Sequence, residues 1–163
     1  MKKVKINRSR YYYKIINANY GHPESMQYHL GLNEMPGFSK KLHRGIYFTD
    51  IKHIFAYVNY GPIVCVLTIP EDATVIWDPE SLYVNGNGRI PGWFTDKVEI
   101  KDFMDINDLS TIWALTARGA DVSVDEYSII RYALRSNVTL WEYFKSQFDD
   151  GTLSEDVFYR AML

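Results

Sequence analysis

Between Pro62 and Pro70 runs Ile63-Val64-Cys65-Val66-Leu67-Thr68-Ile69, apolar at every position but Thr68. A strand without polar alternation has both faces buried, so this one belongs in the middle of a sheet with cover above and below. The segment ahead of it has another period. Ile51, Ile54, Phe55 and Val58 fall at i, i+3, i+4 and i+7, which predicts a helix over residues 51–59. Asp50 is placed to cap it, and Tyr60-Gly61-Pro62 to stop it. Gly45 to Thr49 reads as a short strand before that helix. The centre of the chain is therefore strand, helix, central strand.

Around this centre the signals are shorter. Tyr11 to Ile16 is β-favouring and predicts a first strand. Asn17 to Pro23 reads as a loop, Glu24 to Leu32 as a short helical turn, and Thr74 to Trp77 as another strand. Asn85-Gly86-Asn87-Gly88 is a tight-turn signal, followed by Pro91-Gly92. Val98 to Ile100 is the expected last strand. Asp102, Asp105 and Asp108 then recur at every third position, as a solvated helix face or a run of capping residues.

Past residue 110 a faint repeat appears. Thr111-Ile112-Trp113 returns as Thr139-Leu140-Trp141, twenty-eight positions later. The spacing predicts two helix-loop-helix units over residues 111–163, with Trp113 and Trp141 at equivalent, substantially buried positions. Two such units cannot bury a core alone, so they are expected to dock on the preceding sheet. The expected class is α+β: a small mixed sheet with covering helices over residues 1–108, then helical pairs over residues 109–163.

Composition narrows the function classes. Of 163 residues 47% are apolar and 15% aromatic, enough for a sizeable core. Cys65, the lone cysteine, lies inside the apolar run, so no internal disulfide can form and the thiol is expected to pack as a small hydrophobe. No apolar stretch approaches the ~20 residues of a membrane span. An intracellular protein with no membrane partner is expected. Charge is lopsided: residues 1–53 carry +7 and residues 54–163 carry −9. That polarity suits a basic surface facing an anionic partner, or two halves that attract each other. Lysines, arginines and tyrosines at the start could contact phosphate and stack bases. No recognised nucleic-acid motif accompanies them, so nucleic acid is not the expected partner.

The stretches Gln27-Tyr28-His29-Leu30-Gly31-Leu32-Asn33, Gly45-Ile46-Tyr47-Phe48-Thr49-Asp50 and Cys65-Val66-Leu67-Thr68-Ile69-Pro70 together resemble the N-terminal domain of ankyrin-repeat proteins of mimivirus-type giant viruses. The resemblance spans roughly residues 11–80. The thirty-residue helical unit has the size of an ankyrin repeat, and Gly119-Ala120-Asp121 is similar to the loop of that family, although the T-P-L-H tetrad is missing. What the resemblance implies is a viral, non-enzymatic interaction module, in the host cytoplasm or virion, with a host or viral protein as partner. A homodimer is expected from the exposed end of so short a helical stack.

One catalytic alternative can be built. Gly45-Ile46-Tyr47-Phe48-Thr49, then a helix and an apolar strand, is also similar to part of an ADP-ribosyltransferase fold. That resemblance implies a nicotinamide stacked on Tyr47, with His29 at the ribose and Glu99 stabilising the cationic transition state. It departs from the pattern in lacking a His-Gly pair and a clear Glu strand motif. No catalytic residue, cofactor or metal is therefore expected. The four histidines show no ligand-like pairing, and phosphate-loop, dinucleotide and Gly-x-Ser-x-Gly signatures are absent.

Overall fold

The computed structural model of the chain describes residues 2–22, 26–78 and 92–162. It is an α+β fold. Along the chain come β1 (Lys2–Lys3), β2 (Tyr12–Ile16), β3 (Gly21–His22), β4 (Met26–Gln27), β5 (Gly31–Glu34) and β6 (Ile46–Phe48). A 3-10 helix (Ile51–Tyr60) follows, then β7 (Ile63–Thr68), β8 (Val75–Asp78), β9 (Gly92–Thr95) and β10 (Lys97–Asp105). Four helices close the chain: α1 (Leu109–Arg118), α2 (Val124–Ser136), α3 (Val138–Asp149) and α4 (Glu155–Met162).

Where one mixed sheet was expected there are two four-stranded sheets, ordered β1-β8-β9-β6 and β2-β7-β10-β5, with every pairing antiparallel. They meet between β2 and β6, where Tyr13 and Thr49 exchange two backbone hydrogen bonds of 2.8 Å. The apolar run takes its central place: β7 pairs with β2 on one side and β10 on the other. Its alternate residues feed two cores. Cys65 and Leu67 join Tyr12, Ile16, Ile46, Phe48 and Val75 in a core shared by both sheets. Val64 and Val66 join Tyr13, Ile15 and the helices in the other.

The helix after β6 has the expected apolar face, with Ile54, Phe55 and Val58 buried, but is wound as a 3-10 helix. Asp50 caps it, accepting from the His53 N–H at 3.1 Å, and Gly61 ends it. The helical turn expected over Glu24 to Leu32 is not formed by its described residues. Met26–Gln27 pairs with Gly21–His22, and Gly31–Glu34 is an edge strand on β10. β9 had no sequence signal, and the Asn85–Gly88 turn lies outside the described residues. Of the three spaced acids, Asp105 accepts from the Asn107 N–H and Asp108 caps α1.

Residues 111–162 are helical with short loops, and the helices pack on the second sheet. Ile112 and Leu115 of α1, Ile129, Ile130 and Ala133 of α2, and Leu140 and Phe144 of α3 share one core with Tyr13, Val64 and Val66. One loop motif occurs twice in this region. Asp121 holds the Ser123 N–H and hydroxyl at 2.8 and 2.6 Å, and Asp150 holds those of Thr152 at 2.9 and 2.6 Å.

The tryptophan expectation needs correction. Trp141 is half-buried and packs against the core, but Trp113 is 53% exposed. Each follows a buried aliphatic residue, Ile112 or Leu140, by one position, about 100° round the helix. On α1 that direction leads outward, where the Trp113 ring meets the edge of Tyr143 on α3 at 6.2 Å.

Candidate functional site

The first sheet, β1-β8-β9-β6, carries two rows of side chains set by strand register. Lys2 stands opposite Trp77, Trp77 opposite Trp93, and Trp93 opposite Phe48. Directly opposed residues of an antiparallel pair share a face, so these four form one row across the sheet. The rings touch: Trp77 to Trp93 at 5.4 Å and Phe48 to Trp93 at 5.7 Å. Tyr12 arrives from β2 and lies edge-on to Phe48 and Trp93 at 5.3 and 5.9 Å. Beside this row the N-terminal segment borders a groove of about 450 Å³, whose lining includes Lys2, Lys5, Arg10, Tyr12, Asp50, Trp77 and Trp93.

The segment is tied down. Val4 donates its N–H to the Val75 carbonyl at 3.0 Å, and the Arg8 guanidinium reaches the Pro70 and Ala73 carbonyls at 2.5 and 3.0 Å. Arg10 lies over the Tyr12 ring at 5.5 Å. The groove is thus aromatic at its floor and cationic at its wall.

On the opposite face the register aligns Lys3, Ile76, Phe94 and Tyr47. The alternation expected for the Gly45–Thr49 strand holds, with Ile46 and Phe48 buried together and Tyr47 turned the other way, stacked on Phe94 at 5.1 Å. A Cβ on Gly45 would lie 2.5 Å from the Phe94 ring, so glycine at the head of this strand leaves room for that ring. The Tyr47 hydroxyl is 3.3 Å from the His43 carbonyl and bonds Asp78, whose Oδ2 is 3.4 Å from His43 Nδ1. Burial, and then the charge of Asp78, push the phenol up to about 12.

The three residues of the enzyme alternative occupy separate places. Tyr47 belongs to the first sheet. Glu99 lies on the second, between Thr68 and Leu32, paired with the Lys101 ammonium at 2.7 Å. His29 is exposed in the turn before β5, its Nδ1 2.8 Å from the Leu30 carbonyl. A cation that the sequence did not single out contacts Tyr47. Lys14 of β2 is buried, its Nζ donating to the Tyr47 carbonyl at 2.9 Å and lying 5.7 Å from the Tyr28 ring centre. Burial lowers its ammonium to about 8, and raises the neighbouring Cys65 thiol to about 12.

Among the described residues, no group of three or more His, Cys, Asp or Glu side chains could hold a metal ion. No described helix is long and apolar enough to cross a membrane.

No family model and no solved structure matches the chain. Over 113 residues it is 29% identical to a protein of Acanthamoeba polyphaga mimivirus described as an ankyrin repeat protein. The match covers 65% of this chain and 35% of that protein, so the chain spans about a third of its curated relative. This is a distant, partial link to a giant-virus ankyrin-repeat protein.

Proposed function

We propose that the chain is a non-enzymatic protein-protein interaction module of a giant virus, with residues 1–108 forming an α+β domain and residues 109–163 a degenerate ankyrin-like segment packed on it. The observation that carries this reading is Trp113, which stands 53% exposed on α1 with its ring against Tyr143 of α3. Exposed tryptophan and tyrosine are the side chains that interfaces concentrate, because each removes a large apolar area from water at small entropic cost. The similarity to a giant-virus ankyrin-repeat protein supports the same reading. The partner is a host or viral protein, or a second copy of the chain.

The test is affinity purification from infected cells with wild type and Trp113→Ala, read by mass spectrometry. A partner recovered by the wild type should fall at least tenfold with the variant, the effect of losing about 1.4 kcal/mol at an interface. Equal recovery by both proteins would remove the helical face from the proposal. Light scattering decides the second-copy form, since a mass near 19.0 kDa at all concentrations excludes it.

A second reading, an ADP-ribosyltransferase-like NAD-binding protein, draws support from Lys14, a basic residue of β2 in contact with the Tyr47 carbonyl. The burial of Lys14 and the place of Glu99 on the other sheet weigh against it. Calorimetry with NAD is expected to give no binding heat. Saturable binding abolished by Tyr47→Ala would put this reading first.

A further inference from the structure

We propose that the groove on the first sheet binds single-stranded nucleic acid, with Trp77 and Trp93 as the stacking platform for bases and Lys2, Lys5 and Arg10 as the phosphate contacts. The two components are separated in sequence by about seventy residues and joined by register, since Lys2 stands directly opposite Trp77 and Trp77 opposite Trp93.

Each part of the groove has the chemistry such a ligand needs. Trp77 and Trp93 are half-buried, so their rings are anchored by the sheet yet line open space. Every base presents a π-face, and an aromatic platform accepts it without reading its edge. Lys2, Lys5 and Arg10 are exposed along one wall, and their charges suit a phosphodiester chain running past the rings. Asp50, which also lines the groove as one carboxylate against three cations, is held by His53 Nδ1 at 2.7 Å, with both side chains about four-fifths buried. It therefore offsets only part of the positive wall.

Single strands fit better than duplex because the platform lies on the floor of a groove that the N-terminal segment walls on one side. A base reaches it only when unpaired. The volume of about 450 Å³ accommodates a base and its sugar, with the backbone continuing over the exposed cations. An acidic peptide without aromatic side chains would satisfy the lysines and arginine but would bring no planar ring to the two indoles. The helical face of the proposed function lies elsewhere, so this site stands or falls independently of it.

The experiment is fluorescence anisotropy with a labelled twelve-nucleotide poly-dT strand. The expected result is saturable binding, accompanied by quenched tryptophan emission, that weakens roughly twentyfold between 50 and 200 mM salt, the slope for about three phosphate contacts. Lys2→Gln/Lys5→Gln/Arg10→Gln should weaken it at least tenfold. Lys40→Gln/Lys41→Gln/Arg118→Gln, which removes the same charge outside the groove, should change it less than twofold. Trp93→Leu should cost about tenfold, from one lost stacking contact, with unchanged thermal unfolding as the check that the sheet is intact. Trp77→Leu supplies the same readout if the first variant fails to fold. Any of four results would overturn the proposal: no binding, equal affinity for duplex DNA, equal competition by poly-glutamate, or equal loss with the two charge-removal triples.

Discussion

Gly61→Ala is expected to destabilise the fold by about 3–5 kcal/mol, the sum of backbone strain and overpacking. Gly61 ends the 3-10 helix at φ +149°, a conformation that side chains rarely adopt. A Cβ built there would sit 2.2 Å from the Ile16 carbonyl oxygen and 2.6 Å from the Asn17 Cα. Both obstacles are backbone, at the end of β2, so no rotamer change relieves them. Movement of either chain would disturb the pairing of Ile16 with Ile63, where the central strand begins. Gly151→Ala is the control. Its φ is +84°, but nothing lies within 4 Å of the added carbon, so it should cost only the left-handed penalty of about 1–2 kcal/mol. Urea unfolding of both variants separates the two terms, and equal midpoints would show that the close approach at Gly61 is absorbed by relaxation.

Stability is expected to rise as pH increases from about 7.5, to level off between about pH 9 and 10, and to fall above that. Lys14 supplies the rising limb. Burial holds its folded ammonium at about 8 against 10.5 when exposed, so between those values the unfolded chain binds the extra proton and folding gains as pH climbs. Below pH 8 the full cost of the buried charge remains, on the order of 3 kcal/mol for such a shift. Cys65 offsets that gain from pH 9 and adds to the fall once Lys14 no longer contributes, because its thiol ionises near 9 unfolded and about 12 folded. Above pH 9 the folded state therefore holds a proton that the unfolded state has lost. The buried phenols of Tyr28, Tyr47 and Tyr57, all raised by burial, steepen the fall above 10. Lys14→Met should abolish the rising limb. It should also stabilise the protein at pH 7 by about 2 kcal/mol, after about 1 kcal/mol for the lost hydrogen bond to Tyr47. Denaturation midpoints of both proteins from pH 7 to 10.5 check this, and a variant less stable at pH 7 would show that the hydrogen bond outweighs the buried charge.

What the sequence disclosed followed from local periodicity. The unbroken run from Ile63 placed β7 at the centre of a sheet, and the spacing of Ile54, Phe55 and Val58 placed the helix before it. Both signals are properties of adjacent residues. The groove was illegible for the opposite reason. Its tryptophans and lysines meet only through the register of β1 on β8 and of β8 on β9, and β1 is two residues long. β9 is likewise short, four residues that begin with a glycine. Trp113 misled because a repeat in sequence marks equivalent places on helices, whereas burial depends on what each helix faces. Glu24 to Leu32 misled through its polar residues, whose described part is drawn into a small hairpin and an edge strand. There the Asn33 side chain bonds the His29 and Gly31 carbonyls at 2.8 and 3.0 Å, fixing the turn that a helix would have replaced.

The junction between the sheets has a mechanical meaning. Within each sheet the strands are joined by ladders of two to six residue pairs, but between the sheets Tyr13 and Thr49 share one reciprocal pair of backbone hydrogen bonds, with the Lys14 ammonium bonding the Tyr47 carbonyl nearby. With so few backbone bonds across it, the seam is held chiefly by the shared core, where Cys65 and Leu67 meet Ile46, Phe48 and Val75. The groove is floored by the first sheet and the helices rest on the second. The angle between the proposed groove and the helical layer is thus set by side-chain packing and one buried ammonium rather than by a strand ladder.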